Sequence, residues 1–329
     1  MFKDKTILVT GGTGSWGHEL TRKLLTYQPK EIRIFSRNEF SQVLMRRTFN
    51  NNSCIKYIIG DVRDFEAVNE ACQQVDYVFH LAALKHVPVC EDYPQEALKT
   101  NVLGTENIIR ASILQKVKKV IDVSSDKAVD PINFYGMTKA IGEKLMIRAN
   151  HLSDYTRFVC IRGGNVLGTN GSVVPLFKKQ ILETNGVTIT HKDMTRFFLT
   201  VSEAIDLLLQ ASTAAIGGET FVMKMNACLI TDLANVLGEH LLKKTIAHKE
   251  VGIRPGEKLH EVLVSIAESP YTYQFSDQYF VILPSHTSPE LYKHYQHLPK
   301  VSFQKYQSDD DLMNSENITS LLKRGGVLD

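Results

Sequence analysis

No stretch of this 329-residue sequence approaches the roughly 20 consecutive apolar residues that a membrane-spanning helix requires, so no membrane partner is expected. Cysteine is sparse and odd in number. Cys54, Cys72, Cys90, Cys160 and Cys228 form no CxxC pair, which excludes a disulfide framework and a zinc ribbon and points to reduced thiols in a cytoplasm. An excess of one charge is missing too. Lys and Arg number 38 against 36 Asp and Glu, a net +2 that is too balanced for a nucleic-acid tracking surface. Arg46–Arg47 and Lys178–Lys179 are pairs, not runs, and read as solvated faces. There is neither an internal repeat nor a low-complexity linker. The opening MFKDKTILVTGG enters a strand pattern at once, so no signal peptide is expected.

What is present is alternation. The runs 6–9 (TILV), 32–35 (IRIF), 55–59 (IKYII), 77–80 (YVFH) and 119–123 (KVIDV) read as buried strands. Between them lie helical patterns such as HELTRKLL, DFEAVNEAC and EALKTNVLGTENIIRASI. This pitch predicts an α/β protein, a Rossmann doubly wound parallel sheet whose ligands bind at the carboxyl ends of the strands. Beyond about Gly164 the pattern is irregular and implies a smaller α+β substrate domain. The expected division is 1–165 for the dinucleotide-binding domain, with 197–225 returning to it, and 166–196 with 226–329 for the second domain.

TGGTGSWG follows the first strand and opens the first helix. Gly12, Gly14 and Gly17 satisfy GxGxxG, and Gly11, Gly14 and Gly17 the related GxxGxxG. Glycines permit a tight turn and close approach of backbone to a pyrophosphate facing the helix N-terminus, to which Thr13, Ser15 and Trp16 contribute. Placed between strand and helix, the motif indicates nucleotide binding; a ligand-free glycine turn is the alternative. The second strand ends in FSRNEF. An NAD site usually carries an acid there, whereas Ser36 and Arg37 suit a 2′-phosphate, so NADP is the expected cofactor. GDVRD offers Asp61 and Val62 to the adenine, and AALKH brings Ala82, Lys85 and His86 toward the nicotinamide half.

The stretch SSDKAVDPINFYGMTK is unusually rich in reactive side chains. Ser124 and Ser125 close the fifth strand at the carboxyl edge. Tyr135 and Lys139, four residues apart on a helix, share a face. An ammonium beside the phenol, with an oxidised nicotinamide nearby, lowers the Tyr pKa toward working pH, so that it can take an alcohol proton while hydride leaves. YxxxK alone is usually a helix surface. After a glycine loop and a strand ending in SS it reads as catalytic.

With TGGTGSWG, YxxxK and the strand-end serine in place, the chain resembles the extended short-chain dehydrogenase/reductase superfamily that works on nucleotide sugars. SSDKAVDPINFYGMTK, AALKHVPVCEDYP, GSVVPLF, DMTRFF and RPGEKLHEVL narrow the resemblance to soluble, C5-inverting UDP-N-acetylglucosamine 4,6-dehydratases of pseudaminic acid biosynthesis. These motifs run from residue 6 to about 283. The resemblance implies a cytoplasmic homo-oligomer, dimer or hexamer, with a UDP-sugar substrate. It gives Asp126 and Lys127 work that a plain dehydrogenase lacks. Lys127, desolvated, would remove the C5 proton once C4 is a ketone, and Asp126 would protonate the departing C6 oxygen. A surface ion pair is the alternative for these two. Retaining relatives tend to carry Met where this chain has Tyr135, which favours inversion.

Lys85, Asn165, Val173, Thr190, Arg196, Arg254 and Glu257 are the implied sugar-nucleotide contacts, Arg254 matching phosphate oxygens with its guanidinium fork. His191, His240 and His260 are scattered and suit packing or surface roles. Two departures stand out: Gly163 where the family usually has Tyr, and Thr169-Asn170-Gly171 where it reads SRG. They leave open a division of the reaction between two homologous enzymes, a 5,6-dehydratase and a C5-epimerase. A UDP-sugar 4-epimerase, needing Tyr135 and Lys139 alone, and a nucleotide sensor without turnover are the further alternatives.

Overall fold

The computed structural model describes residues 1–168 and 172–328. Six strands, β1 (Thr6–Thr10), β2 (Glu31–Ser36), β3 (Ile55–Ile59), β4 (Tyr77–His80), β5 (Lys119–Ser125) and β6 (Arg157–Gly163), pair in parallel in the spatial order 3-2-1-4-5-6. The central strands β1 and β4 are buried on both faces, which is why they read as continuous apolar runs without polar alternation, while β3 at the sheet edge leaves Ile59 exposed. The order reverses between β1 and β4, and that reversal opens a crevice above the strand ends. The expected α/β Rossmann sheet is therefore present. β5 runs two residues beyond the expected KVIDV, carrying Ser124 opposite Arg162 and Ser125 opposite Gly163.

The division expected beyond this sheet needs correction. The strand Thr220–Met223 adds in parallel to β6, and the helix Val201–Ala214 packs on the first helix, Ser15–Thr26. Residues 272–282, however, do not join the second region. Tyr279–Ile282 pairs antiparallel with Thr220–Met223, and Thr272–Gln274 with Tyr279–Ile282, which extends the main sheet to nine strands. The hairpin covers an edge whose backbone groups would otherwise be unpaired. Conversely Thr195–Leu199 leaves the main sheet for a three-stranded one with Asn165–Val166 and Asn226–Leu229.

A separate core lies under this smaller sheet. Val174, Phe177 and Ile181 of the helix Val173–Thr184 meet Leu233 and Leu237 of Ile230–Leu242 and Ile318, Leu321 and Leu322 of Ser315–Arg324. The C-terminal residues, which carry no motif, thus close this core. Among the described residues no helix is long and apolar enough to cross a membrane.

EALKTNVLGTENIIRASI is not one uniform helix. Pro94–Leu98 passes through a wide π turn, Lys99–Leu103, into Gly104–Leu114. Such turns concentrate at functional sites. Here the turn aims the buried Asn101 so that its Nδ2 donates to the Leu84 carbonyl (2.9 Å) and to Thr138 Oγ1 (3.0 Å). It ties the loop after β4 to the helix Phe134–Ala149 that carries Tyr135 and Lys139.

Candidate active site

A cleft of about 680 Å³ lies over the crevice. At one end it is lined by Gly11, Thr13, Gly14, Ser15 and Trp16, at the start of a helix whose N-cap, Gly14, supplies no side-chain cap. The helix N–H groups there suit a pyrophosphate. Gly17 lies beneath, so close to the preceding turn that a Cβ would fall 2.0 Å from the Gly12 carbonyl oxygen. Ser36, Arg37, Asp61 and Val62 line the same end. Gln42, which sequence reasoning passed over, donates to Ser36 Oγ and O (both 3.0 Å) and fixes that strand end. The Arg37 guanidinium is half exposed and only 4.0 Å from Asp61, leaving its fork open to an anion. Burial works against the Asp61 carboxylate, but Arg63 and then Arg37 outweigh it and hold the carboxyl below its ordinary range. These residues fit a dinucleotide.

Toward the other end the cleft is lined by Ala82, Lys85, His86, Ser124, Ser125, Lys127, Tyr135, Lys139, Gly163, Asn165 and Val173. Asn133 caps the helix Phe134–Ala149 by accepting from the Gly136 N–H (2.7 Å), and donates to the Gly256 carbonyl (2.8 Å). Gly136 is required: a Cβ there would lie 2.2 Å from the Lys127 carbonyl oxygen. That approach sets Tyr135 beside the turn Asp126–Ala128.

Tyr135 and Lys139 are both buried, on one helix face as predicted. The expected drop in the Tyr135 pKa is not what the chain alone produces. Burial raises the phenol above its ordinary value, and Lys139, Lys127 and a hydrogen bond with Ser125 offset this only in part. Lowering it further would need the positive ring of an oxidised nicotinamide. Burial also opposes the Lys139 ammonium, yet Asp122 and Tyr135 outweigh it and the group ends above its ordinary value. Asp122 lies 3.7 Å from Lys139 Nζ, 1% exposed, with neither oxygen in a hydrogen bond. An acid in the middle of the apolar run KVIDV was the available signal for it.

Asp126 and Lys127 are no surface pair. Asp126 is 1% exposed, and its Oδ1 accepts from Ser125 Oγ (2.8 Å) and Lys127 Nζ (3.1 Å). Burial raises the Asp126 carboxyl above its ordinary value against the pull of Lys127. Lys127 departs from expectation. It is desolvated, but Asp126 and Glu261 outweigh the burial and hold the ammonium charged, well above its ordinary pKa. It is not a ready base in this state.

Of the other residues expected to touch substrate, Lys85, Asn165 and Val173 line the cleft, and Asn165 Oδ1 lies 3.5 Å from Lys127 Nζ. Thr190, Arg254 and Glu257 are not among the lining residues. Thr190 Oγ1 instead contacts Met194 Sδ (3.1 Å), and the Arg254 N–H points to Glu257 Oε2 (3.4 Å). Arg196 sits behind the cleft, 3.4 Å from Glu257 and 3.5 Å from Glu261. Thr169, Asn170 and Gly171 lie outside the described residues.

A glycine loop at the switch point of a 3-2-1-4-5-6 sheet, with Tyr and Lys on the adjoining helix, defines an extended short-chain dehydrogenase/reductase. Comparison with known proteins narrows this. The family model described as "Polysaccharide biosynthesis protein" matches residues 7–283, and the chain belongs to that family. It is 45% identical over 289 residues to the UDP-N-acetylglucosamine 4,6-dehydratase (inverting) of Campylobacter jejuni, covering 87% of this chain and 84% of that one. It is 46% identical over 274 residues to the UDP-glucose 4-epimerase of Rickettsia bellii, covering 82% and 80%. The X-ray structure of Pen from Bacillus thuringiensis matches 98% of this chain and 99% of its own, with a TM-score of 0.89 at 40% identity. The family resemblance read from the motifs is borne out.

Proposed function

We propose that this chain is an NADP-dependent UDP-N-acetylglucosamine 4,6-dehydratase that inverts C5, acting in the cytoplasm as a homo-oligomer early in pseudaminic acid or related deoxy-sugar synthesis. The observation that carries this reading is that Tyr135, Lys139 and Lys127 line one cleft, with the Asp126 carboxyl buried directly against Lys127 Nζ at 3.1 Å. The name of the Campylobacter relative supports the substrate.

Gly11, Thr13, Gly14, Ser15 and Trp16 would hold the pyrophosphate of the dinucleotide, Ser36 and Arg37 its 2′-phosphate, Asp61 and Val62 the adenine, and Ala82 with Lys85 the nicotinamide half. When bound, that cofactor would supply the acceptor for the C4 hydride and the source of the hydride that C6 receives. Tyr135, assisted by Ser125 and Lys139, accepts the C4 hydroxyl proton. The resulting ketone acidifies C5–H, whose proton passes to Lys127, and Asp126 gives its proton to the C6 oxygen, which leaves as water. Lys85, Asn165 and Val173 would orient the sugar within the cleft. Thr190, Arg196, Arg254 and Glu257 serve the UDP half in this reading, from positions outside the cleft lining.

Apolar side chains on adjoining helical segments, Leu103, Met137 and Ile141, are each more than 40% exposed and support the homo-oligomer. Five free thiols suit a reducing cytoplasm. The name of the Rickettsia relative favours a second reading, a UDP-sugar 4-epimerase. That reaction leaves the buried Asp126–Lys127 pair without work.

Purified protein given UDP-N-acetylglucosamine in heavy water separates the readings by NMR and mass. The dehydratase yields a 4-keto-6-deoxy sugar with a deuterium at C5 and the L-arabino configuration. A C4 epimer that has lost no water contradicts it. An unsaturated product, or no reaction until a partner enzyme is added, assigns the chain one half of a divided reaction.

A further inference from the structure

Lys127 is the proposed C5 base, and the structure holds it as an ammonium, which cannot accept a proton. Its surroundings say where a proton could go. Nζ lies 3.1 Å from Asp126 Oδ1, 3.2 Å from Glu261 Oε1 and 3.5 Å from Asn165 Oδ1. Asn165 neither gives nor takes a proton, and Asp126 must keep its own for the C6 oxygen. Glu261 remains. It stands at the end of RPGEKLHE, its side chain 3% exposed, with its N–H donated to Ser308 Oγ (2.9 Å). The groups facing this cluster are Asp126 and Lys127 on the turn after β5, Tyr135 on the following helix, Arg196 on the strand Thr195–Leu199, and Lys258 on the loop before Glu261. Burial pushes the Glu261 carboxyl up, but Lys127, then Arg196 and Lys258, hold it below its ordinary range as an anion; because Lys127 is the largest of these pulls, the carboxylate becomes more basic as that ammonium gives up its proton. One oxygen of each carboxylate, Glu261 Oε2 and Asp126 Oδ2, is buried without a hydrogen bond. Each leaves an oxygen able to carry a proton.

The geometry points to Glu261 as the proton acceptor behind Lys127, taking one ammonium proton so that the freed amine can remove the C5 proton, an assignment that rests on the dehydratase reading above. The step balances. Lys127 N–H breaks and Glu261 O–H forms; C5–H then breaks, its proton goes to Lys127, and its electron pair moves into the C4–C5 enolate. As that pair forms the C5–C6 double bond, the C6–O bond breaks and Asp126 protonates the leaving oxygen. The cluster ends with Glu261 neutral, Lys127 charged and Asp126 anionic, its total charge unchanged. Lys127, within hydrogen-bond reach of both carboxylates, can carry the proton from Glu261 back to Asp126 for the next turnover. Glu261 acts through Lys127 and positions its charge state; it need not touch the sugar.

Glu261→Gln retains the shape and an acceptor for Lys127 but no longer takes a proton. With UDP-N-acetylglucosamine, the full chain carrying this change is expected to reduce its bound cofactor within about threefold of the native rate. Water loss and C5 exchange with deuterated solvent should fall about 100-fold at neutral pH, within the usual range for a lost acid–base group. Dehydration should then recover as pH rises, because Lys127 must now lose its proton to solvent, and Glu261→Asp should restore part of the neutral-pH rate. Native dehydration with a native pH profile in Glu261→Gln overturns the assignment, and so does an equal loss of cofactor reduction and dehydration, which marks a structural role. Lys127→Ala, run alongside, separates the two levels. If it dehydrates normally, the reading of Lys127 as base has failed and the Glu261 assignment with it. If it is inert in dehydration while Glu261→Gln is native, only the Glu261 assignment fails.

Discussion

Two cations, Arg162 buried and Lys127 partly exposed to the cleft, bridge the main sheet to residues 261–268, and each is set between two carboxylates. Arg162, on β6, donates from Nε and Nη2 to Glu143 (3.0 and 2.6 Å), from Nη1 and Nη2 to Glu268 (3.1 and 2.9 Å), and from Nη1 to the Leu263 carbonyl (2.8 Å). Lys127, at the end of β5, meets Asp126 and Glu261 at 3.1 and 3.2 Å, yet one oxygen of each carboxylate has no partner. The planar guanidinium fills its site with a fixed fork that does not deprotonate at any working pH. The ammonium is a movable point charge that can lose a proton. A fully satisfied buried network fixes structure, and a partly satisfied one is unstable unless it has other work. The first cluster therefore reads as a clamp between sheet and C-terminal segment, the second as a place where protons move.

The largest effect that sharpens this contrast lies beside the second cluster. Tyr135→Phe removes the proposed acceptor of the C4 proton, and cofactor reduction on addition of substrate should fall about 1000-fold, with folding unaffected by circular dichroism. Breaking the clamp should show the reverse. Arg162→Ala strands the Glu143 and Glu268 carboxylates, at a cost of about 3–5 kcal/mol of stability, read by urea denaturation.

Acid titration distinguishes the clusters with a smaller effect. Burial raises the Glu268 carboxyl, but Arg162 outweighs it and pulls the pKa from 4.5 down to about 2. A depressed folded-state pKa contributes stability that is complete above pH ~4.5 and is lost as pH falls through ~2, up to about 3 kcal/mol. Glu268→Gln should flatten that part of the stability profile. Smaller still, Arg37→Asp should weaken NADP by about 2 kcal/mol, roughly 30-fold in Kd, and NAD far less, by fluorescence titration. Equal native affinity for the two dinucleotides would defeat the NADP assignment.

These contrasts were unequally legible in the sequence. Strands β1 to β5 announced themselves as short β-branched runs, and Tyr135 with Lys139 because four residues make one helical turn. Both are local signals. β6, Arg157–Gly163, was not read from the sequence. The hairpin 272–282 was hidden, since short antiparallel strands after an irregular segment give no hint of which sheet edge they cover. Glu261 stood within a motif already singled out, but its contact with Lys127 spans the two regions of the fold, and spacing cannot show it. Lys127 was found beside Asp126, while its charge state was misread, because the second carboxylate opposing its desolvation, Glu261, was not visible in the sequence.

The central claim is that oxidation belongs to Tyr135 and elimination to the cluster around Lys127. The most direct measurement is a single turnover of Lys127→Ala with UDP-N-acetylglucosamine, following cofactor absorbance and product mass together. The account predicts a reduced cofactor that persists at the site, with no sugar lighter by one water. Dehydrated product formed at the native rate would contradict it.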